Sequence, residues 1–435
     1  MKNRSILKQL YSIISSIENI NINIFVEEIY ENQIELHLKN KKIKKNNIDY
    51  GVRIIIDNTV TKKYKSISFL NYEDMFYQVV NYIKGTLNIE LNNKKDRVYF
   101  KKYKGKNIVL NNQQKHNIMS NIIKELTGYD SLKVALYEKK ENIFIIQSST
   151  RYILNIKNFY TKMMLKGNID NNEIYDFILS DHGHKNLTKR KTMDLIERFK
   201  EITSIKTSNV KIPDGDYDLI LSNNCGTVFH EVFGHNLELD LINKSNKELF
   251  KKGNNIGNNL ITFIDNTHYN NDLLDLQYDD YINNVKNKIL IKNGKIIDYI
   301  NTLRSENYKF YPTTRMTNSY LKPNNNSLPL NISKIKKGIY IYKIGAGKLY
   351  LEKQEFEITI DAGYLIINGM KKGKISNITF QIDVDDFIKK IKYVGNDLNF
   401  ISTVCGSSSG NVFCYAGTPT VLVKNISIKQ NVKYI

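Results

Sequence analysis

Apolar residues fall at Ile6, Leu7, Leu10, Ile13, Ile14 and Ile17 of the stretch NRSILKQLYSIISSIENI, a spacing that lines one face of a helix. The stretch YEDMFYQVVNYIKGTL repeats that pattern, with Gly85 expected to end it, and TKRKTMDLIERFKEITSI reads as a third helix. Between the first two, IELHLKN, YGVRIIIDN and KSISFLN alternate as strands of a meander, and NIFIIQSSTRYILNIKNFYTKMMLKGN continues in the same way. Helices and strands mixed in this order predict an α+β domain over residues 1–210.

The pattern changes near KTSNVKIPDGDYDLILSNN, and all five prolines lie after residue 212. Beyond it, one helix is expected around residue 230, followed by short alternating segments such as NKILIKNGKIIDYI, QEFEITIDAGYLIINGMKKGKI and TPTVLVKNISI. KNGK and INGMKKGK read as hairpin turns, because Asn-Gly accepts the positive φ that tight turns need. Residues 211–435 are therefore expected to form a mainly antiparallel β domain carrying that one helix, giving an α+β chain of two domains.

Composition narrows the function classes. The chain has 435 residues, 41% hydrophobic and 25% charged, an ordinary balance for a water-exposed globular protein with room for two cores. Its basic start is interrupted by Gln9, Ser12, Ser15 and Ser16, unlike a signal peptide, and no run approaches the ~18 apolar residues of a membrane span. A cytoplasmic location without membrane association is the expectation. The formal charge of +20 is spread in pairs such as Lys62-Lys63 and Lys336-Lys337, with no recognition motif beside it, so nucleic acid is not an expected partner. Three cysteines, Cys225, Cys405 and Cys414, make no disulfide framework.

Chemistry concentrates in HEVFGHNLELD, residues 230–240. Zinc peptidases commonly place two histidines at i and i+4 of a helix, with the glutamate after the first as general base. Here His230 and His235 stand at i and i+5, which on a regular α-helix diverge by about 140° rather than about 40°. Two remedies would bring them together: a π-type turn, or a break near the permissive Gly234. Non-ideal helix geometry is expected within Val232–His235. Glu231 is correctly placed for the base, and Glu238 and Asp240 are placed to orient imidazole N–H groups.

A catalytic zinc normally takes three protein ligands and keeps a fourth position open. The candidates for the third are the cysteines, His268 and nearby carboxylates. Cys225, five residues before His230, reads as a small buried hydrophobe, and Cys414 as packing. Cys405 stands apart, in VCGSSSGNVFCYAGTPTVLV, where Gly406, three serines and Gly410 form a loop able to carry a thiolate to a distant metal. His182 and His184 read as surface residues.

Taken together, these residues resemble the TldD/PmbA metallopeptidases, in particular the metal-bearing TldD-like branch. HEVFGHNLELD is similar to the family's H-E-x-x-x-H-x-x-E-x-D signature. The likeness continues through RSENYKFYPTTRMTNSY, KKGIYIYKIGAGK, AGYLIINGMKKGKI, YVGNDL and VCGSSSGNVFCYAGTPTV, covering nearly all of residues 215–430, and more faintly through DYGVRIII. It implies a two-domain peptidase with one zinc per chain on His230, His235 and Cys405, and Glu231 as base. It also implies unfolded or extended peptide substrates, taken with little sequence preference, and a homodimer or a heterodimer with a related subunit. Arg315 and Asn318 are candidates to contact the peptide backbone, or equally to stabilise a turn. Phe310 departs from the family, many members having histidine there. The rival reading is a non-catalytic or partner-dependent peptide-binding subunit.

Overall fold

The computed structural model describes residues 2–38, 42–57, 62–91, 98–104, 107–207, 210–242, 248–269, 273–279, 284–300, 315–407 and 410–428. In chain order the first half runs α1 (Lys2–Ser15), β1 (Asn21–His37), β2 (Lys42–Asp57), β3 (Lys62–Ser68), α2 (Tyr72–Leu87), β4 (Tyr99–Lys104), α3 (Asn112–Glu125), β5 (Ser131–Gln147), β6 (Tyr152–Ile169), β7 (Asn172–Ser180) and α4 (Lys189–Lys206). The second half begins with β8 (Gly215–Leu221), α5 (Gly226–Phe229), a π turn (His230–Gly234) and α6 (Leu239–Ile242). It continues with β9 (Phe263–Asp265), β10 (Lys288–Lys292), β11 (Lys295–Ile296), β12 (Asn318–Leu321), β13 (Lys337–Tyr350), β14 (Glu355–Ile367) and β15 (Met370–Ile375). The last elements are β16 (Ile378–Asp383), α7 (Val384–Lys389), β17 (Ile391–Val394), β18 (Asn399–Ser407), β19 (Gly410–Thr418) and β20 (Val421–Ile428).

The strands form three sheets, so the chain is α+β with strand predominating. The first has the order β3-β2-β1-β5-β6-β4, with β7 also on β6. The second runs β11-β10-β9-β12-β19-β18, and the third β15-β14-β13-β8-β20-β17, with β16 on β14. Three pairs are parallel, β4 with β6, β12 with β19, and β8 with β13; the last two lie in the half expected to be antiparallel. Those two pairs join strands far apart in sequence, where no tight turn dictates direction.

Amphipathic helices cover the sheets as their periodicity requires. Leu7, Leu10 and Ile14 of α1 and Met75, Val79 and Ile83 of α2 are buried against Ile24, Val26 and Ile54 of the first sheet. Gly85 does not end α2; the helix runs through it to Asn88, whose left-handed backbone (φ 52°) closes the last turn. Helix α3 carries a capping box, Asn111 with Gln114, a start signal already present in the sequence. Helix α4 buries Leu195, Phe199 and Ile202 in a core that also holds Ile220, Ile366 and Leu422. That shared core joins residues on both sides of position 210. The two Asn-Gly turns form as expected, with positive φ at Asn293, Gly294, Asn368 and Gly369. Among the described residues no helix is long and apolar enough to cross a membrane.

Candidate metal centre

Strand β8 ends at Leu221, and the chain turns through Cys225 into the helical stretch that carries the motif. Cys225 is fully buried, its thiol donating to the Ile341 carbonyl at 3.3 Å, and burial pushes the thiol up to about 12. This is an inert packing cysteine.

From α5 the helix continues without a break into the π turn His230–Gly234, where the His235 amide donates to the His230 carbonyl. The wider turn returns i and i+5 to one side, and the two imidazoles sit 5.0 Å apart at 86°. Of the two remedies, the chain uses the π turn. Gly234 keeps helical angles (φ −58°, ψ −61°), so its flexibility is not what brings His235 back. It is needed for space: a Cβ there would stand 1.9 Å from the Met316 sulfur.

Both histidines have an orienting partner. Nδ1 of His235 lies 2.8 Å from the buried carboxylate of Glu238, leaving Nε2 3.6 Å from the Cys405 sulfur and 3.9 Å from Glu231 Oε1. His230 is buried, with Nδ1 3.2 Å from the Ser319 hydroxyl. Its Nε2 is enclosed without a hydrogen-bond partner. Ligand atoms of His230, His235 and Cys405 all lie within 4.8 Å of one another. An orphaned buried imidazole nitrogen facing a second imidazole and a thiol is a donor set that fits a zinc ion with one position left open.

Electrostatics agree with that use. Burial works against a charged His235, but the contacts with Cys405 and Glu238 hold it up to about 10. The Cys414 thiol beside Cys405 lowers the Cys405 thiol below its usual range, against burial, with the imidazoles of His230 and His235 acting in the same direction. The site is built to keep a thiolate next to a positive charge. Either a proton or a metal cation can supply that charge.

Cys405 sits on strand β18, opposite Val412 of β19, rather than in a loop. Positions 408 and 409 of the serine-rich apex lie outside the described residues. Glu231 is partly exposed beside the histidines, and its side chain packs on Gly347 of β13, where an added Cβ would be 3.0 Å from the Glu231 Cγ. The Arg315 guanidinium donates to the Cys405 carbonyl, fixing the strand that bears the thiol. Asn318 is fully buried; its amide donates to the Asn266 and Leu274 carbonyls at 2.8 Å, the placement of a loop-holding residue. The side chain of Asp240, and Phe310, lie outside the described residues.

Two supporting residues escaped the sequence reading. Ser319 orients His230, and buried Asp265 accepts from the amide and hydroxyl of Thr317, both at 2.9 Å, tying β9 to the start of β12. Ser319 ends the run RMTNS, which has no metal-ligand spacing, and Asp265 lies some fifty residues earlier in TFIDN, where no motif marks it. Neither histidine expected at the surface is exposed: the His182 side chain is 12% accessible, with Nδ1 2.8 Å from Asp181. His184 is buried, bonded to Glu138 at 2.6 Å, because the carboxylate and the Leu110 amide (3.0 Å) satisfy both ring nitrogens inside the fold.

Comparison with known proteins finds metalloprotease relatives. Residues 214–430 match the family model of the PmbA/TldA metallopeptidase C-terminal domain. The chain is 27% identical over 246 residues to a metalloprotease TldD homolog of Buchnera aphidicola subsp. Acyrthosiphon pisum, covering 52% of this chain and 51% of that one. It is 25% identical over 246 residues to a zinc metalloprotease TldD homolog of Saccharolobus solfataricus, covering 52% and 54%. The chain thus spans about half the length of the relatives it matches. In fold it is similar over nearly its whole length to a candidate modulator of DNA gyrase from Bacteroides thetaiotaomicron, with TM-score 0.74, 13% identity and 99% of both chains covered. It is also similar to TldE from Thermococcus kodakarensis, with TM-score 0.67, 13% identity and 97% and 99% covered. With the paired histidines, the thiol and these matches in place, the chain belongs to the TldD/PmbA family of metallopeptidases.

Proposed function

We propose that this protein is a zinc-dependent peptidase that hydrolyses extended peptides, with His230, His235 and Cys405 holding one zinc per chain. The observation that carries the reading is the convergence of those three side chains within 4.8 Å, with Glu231 Oε1 3.9 Å from His235 Nε2. The chemistry a bound zinc supplies is polarisation of the scissile carbonyl and a lowered pKa for water. Glu231 Oε1 takes the proton from the attacking water and returns it to the leaving amine. Glu238 keeps the His235 ring oriented through Nδ1, and Ser319 does so for His230.

Extended substrate is suggested by β13. Its pairing with β8 runs from Gly338 to Ile341; beyond that, Lys343–Tyr350 still pairs with β14 on its other side, while the side that faced β8 has no strand partner among the described residues. Gly347 on that segment lies against Glu231. A peptide pairing there through its backbone would be held with little regard to side chains. The same reading includes a dimer, homo- or heteromeric, which light scattering with and without a related subunit would check.

The decisive comparison is wild type against Glu231→Gln, measuring zinc content and cleavage of unfolded peptides. The variant is expected to keep its zinc and lose cleavage. Cleavage retained by the variant rejects the assignment of the base. A wild-type chain that holds zinc yet cleaves only when a related subunit is added would favour the partner-dependent reading.

A further inference from the structure

Strands β18 and β19 pair along their whole length, from Asn399 opposite Thr418 to Ser407 opposite Gly410. Among the described residues, strand β12 flanks β19 at Tyr415, Ala416 and Gly417, and β18 is the outermost strand of its sheet. The part that carries Cys405, opposite Val412, is therefore a two-stranded ribbon running past the end of its neighbour. Such a ribbon has little stability of its own. A ligand on it is only as well placed as the contacts that brace the ribbon, the Arg315 bond to the Cys405 carbonyl among them.

Three of those contacts come from the first half of the chain. Phe413, opposite Val404 and on the face away from Cys405, stacks on Tyr160 of β6 with ring centres 4.8 Å apart and planes 19° from parallel. The hydroxyl of Ser402, three residues before Cys405, accepts from the Leu179 amide of β7 at 3.2 Å. The Tyr415 hydroxyl donates to the carbonyl of that same Leu179 at 3.4 Å. The backbone of one β7 residue thus holds both strands at the point where the ribbon leaves β12.

We propose that the N-terminal sheet, through Tyr160 and Leu179, positions Cys405 for the metal, so that docking of the first half of the chain sets the zinc affinity of a site whose ligands all lie in the second. The proposal rests on the zinc reading above. Tyr160 and Leu179 act by restricting where the ribbon can carry the thiol. By linkage, metal binding tightens the docking in return.

The test compares Tyr160→Ala and Tyr160→Phe with the wild-type chain. Three quantities are read: zinc affinity by chelator competition, the thiolate-to-metal charge-transfer absorption of the cobalt(II)-loaded protein, and the rate at which Cys405 is alkylated in the metal-free protein. Tyr160→Ala is expected to weaken zinc binding about tenfold, the scale seen when partners that orient a ligand are lost. It should also reduce the charge-transfer band and speed alkylation, while Tyr160→Phe, which keeps the stack, matches wild type. Wild-type values for all three quantities in Tyr160→Ala overturn the proposal. Should Tyr160→Ala fail to fold, Ser402→Ala, which removes the Leu179 amide bond, is judged by the same readings. A wild-type chain that takes up no zinc sinks the metal reading, whereas the alkylation rates still decide whether the first half braces Cys405.

Discussion

Single residues in this protein act mainly through the partner that fixes them. Glu238 is buried and spends one oxygen on His235 Nδ1, so Glu238→Gln keeps the shape but weakens the acceptor that orients the ring. Zinc affinity is expected to fall by about 10- to 100-fold, read by chelator competition, with little change in fold. Glu138 behaves differently, since it serves stability. Burial alone would raise its pKa, but His184, Lys115 at 2.5 Å and Asn32 hold the carboxyl down at about 2, from an ordinary 4.5. A depressed carboxyl stabilises the fold fully above the unfolded value and loses that contribution as pH falls toward the folded one. Urea unfolding should therefore show the wild type losing on the order of 3 kcal/mol between pH 5 and pH 2 from this group. Glu138→Gln would lack that dependence and would leave the buried ammonium of Lys115 without its anion. An equally steep acid dependence in the variant would assign the loss to other carboxylates.

At the scale of elements, the π turn and β13 border the proposed catalytic site. The π turn aims two imidazoles at one point, and β13 comes so close that Glu231 rests on a residue without a side chain. Gly347→Ala puts a methyl group 3.0 Å from the Glu231 Cγ, and either Glu231 or the strand must move. Displacement of a base by about 1 Å can cost on the order of a hundredfold in rate. The expected result is a kcat lower by tenfold or more with zinc content unchanged. A wild-type kcat would show that Glu231 has room to give way.

For the whole molecule, the two halves are joined by charge as well as by a shared apolar core. Asp361 of β14 is buried and pairs with Lys206 of α4 at 2.6 Å and with Lys343 of β13 at 3.2 Å. Lys343 reaches Asp176 of β7 at 3.5 Å, and Asp176 pairs with Arg198 of α4 at 2.9 Å. Removing one member leaves its partners charged in a dry setting, which typically costs about 3–5 kcal/mol. Asp361→Ala should lower the denaturation midpoint accordingly. Calorimetry is expected to show one unfolding transition in the wild type, because the core around α4 contains residues of both halves.

Much of this was legible in the chain itself. Helical periodicity located α1, α2 and α4, and Asn-Gly pairs located two hairpins, because these depend on neighbours within a few residues. The His230–His235 spacing required a distorted helix, since five residues on an α-helix cannot share a face. Its form, a π turn with Gly234 making room for Met316, depended on a side chain some eighty positions away. So did the support of His230 by Ser319. The contacts of the Cys405 ribbon with Tyr160 and Leu179 are a ring stack and side-chain hydrogen bonds between residues more than two hundred positions apart. Local spacing determined which residues could bind a metal; only the tertiary structure decided which of them meet, because that is settled by sheet register and packing between distant segments.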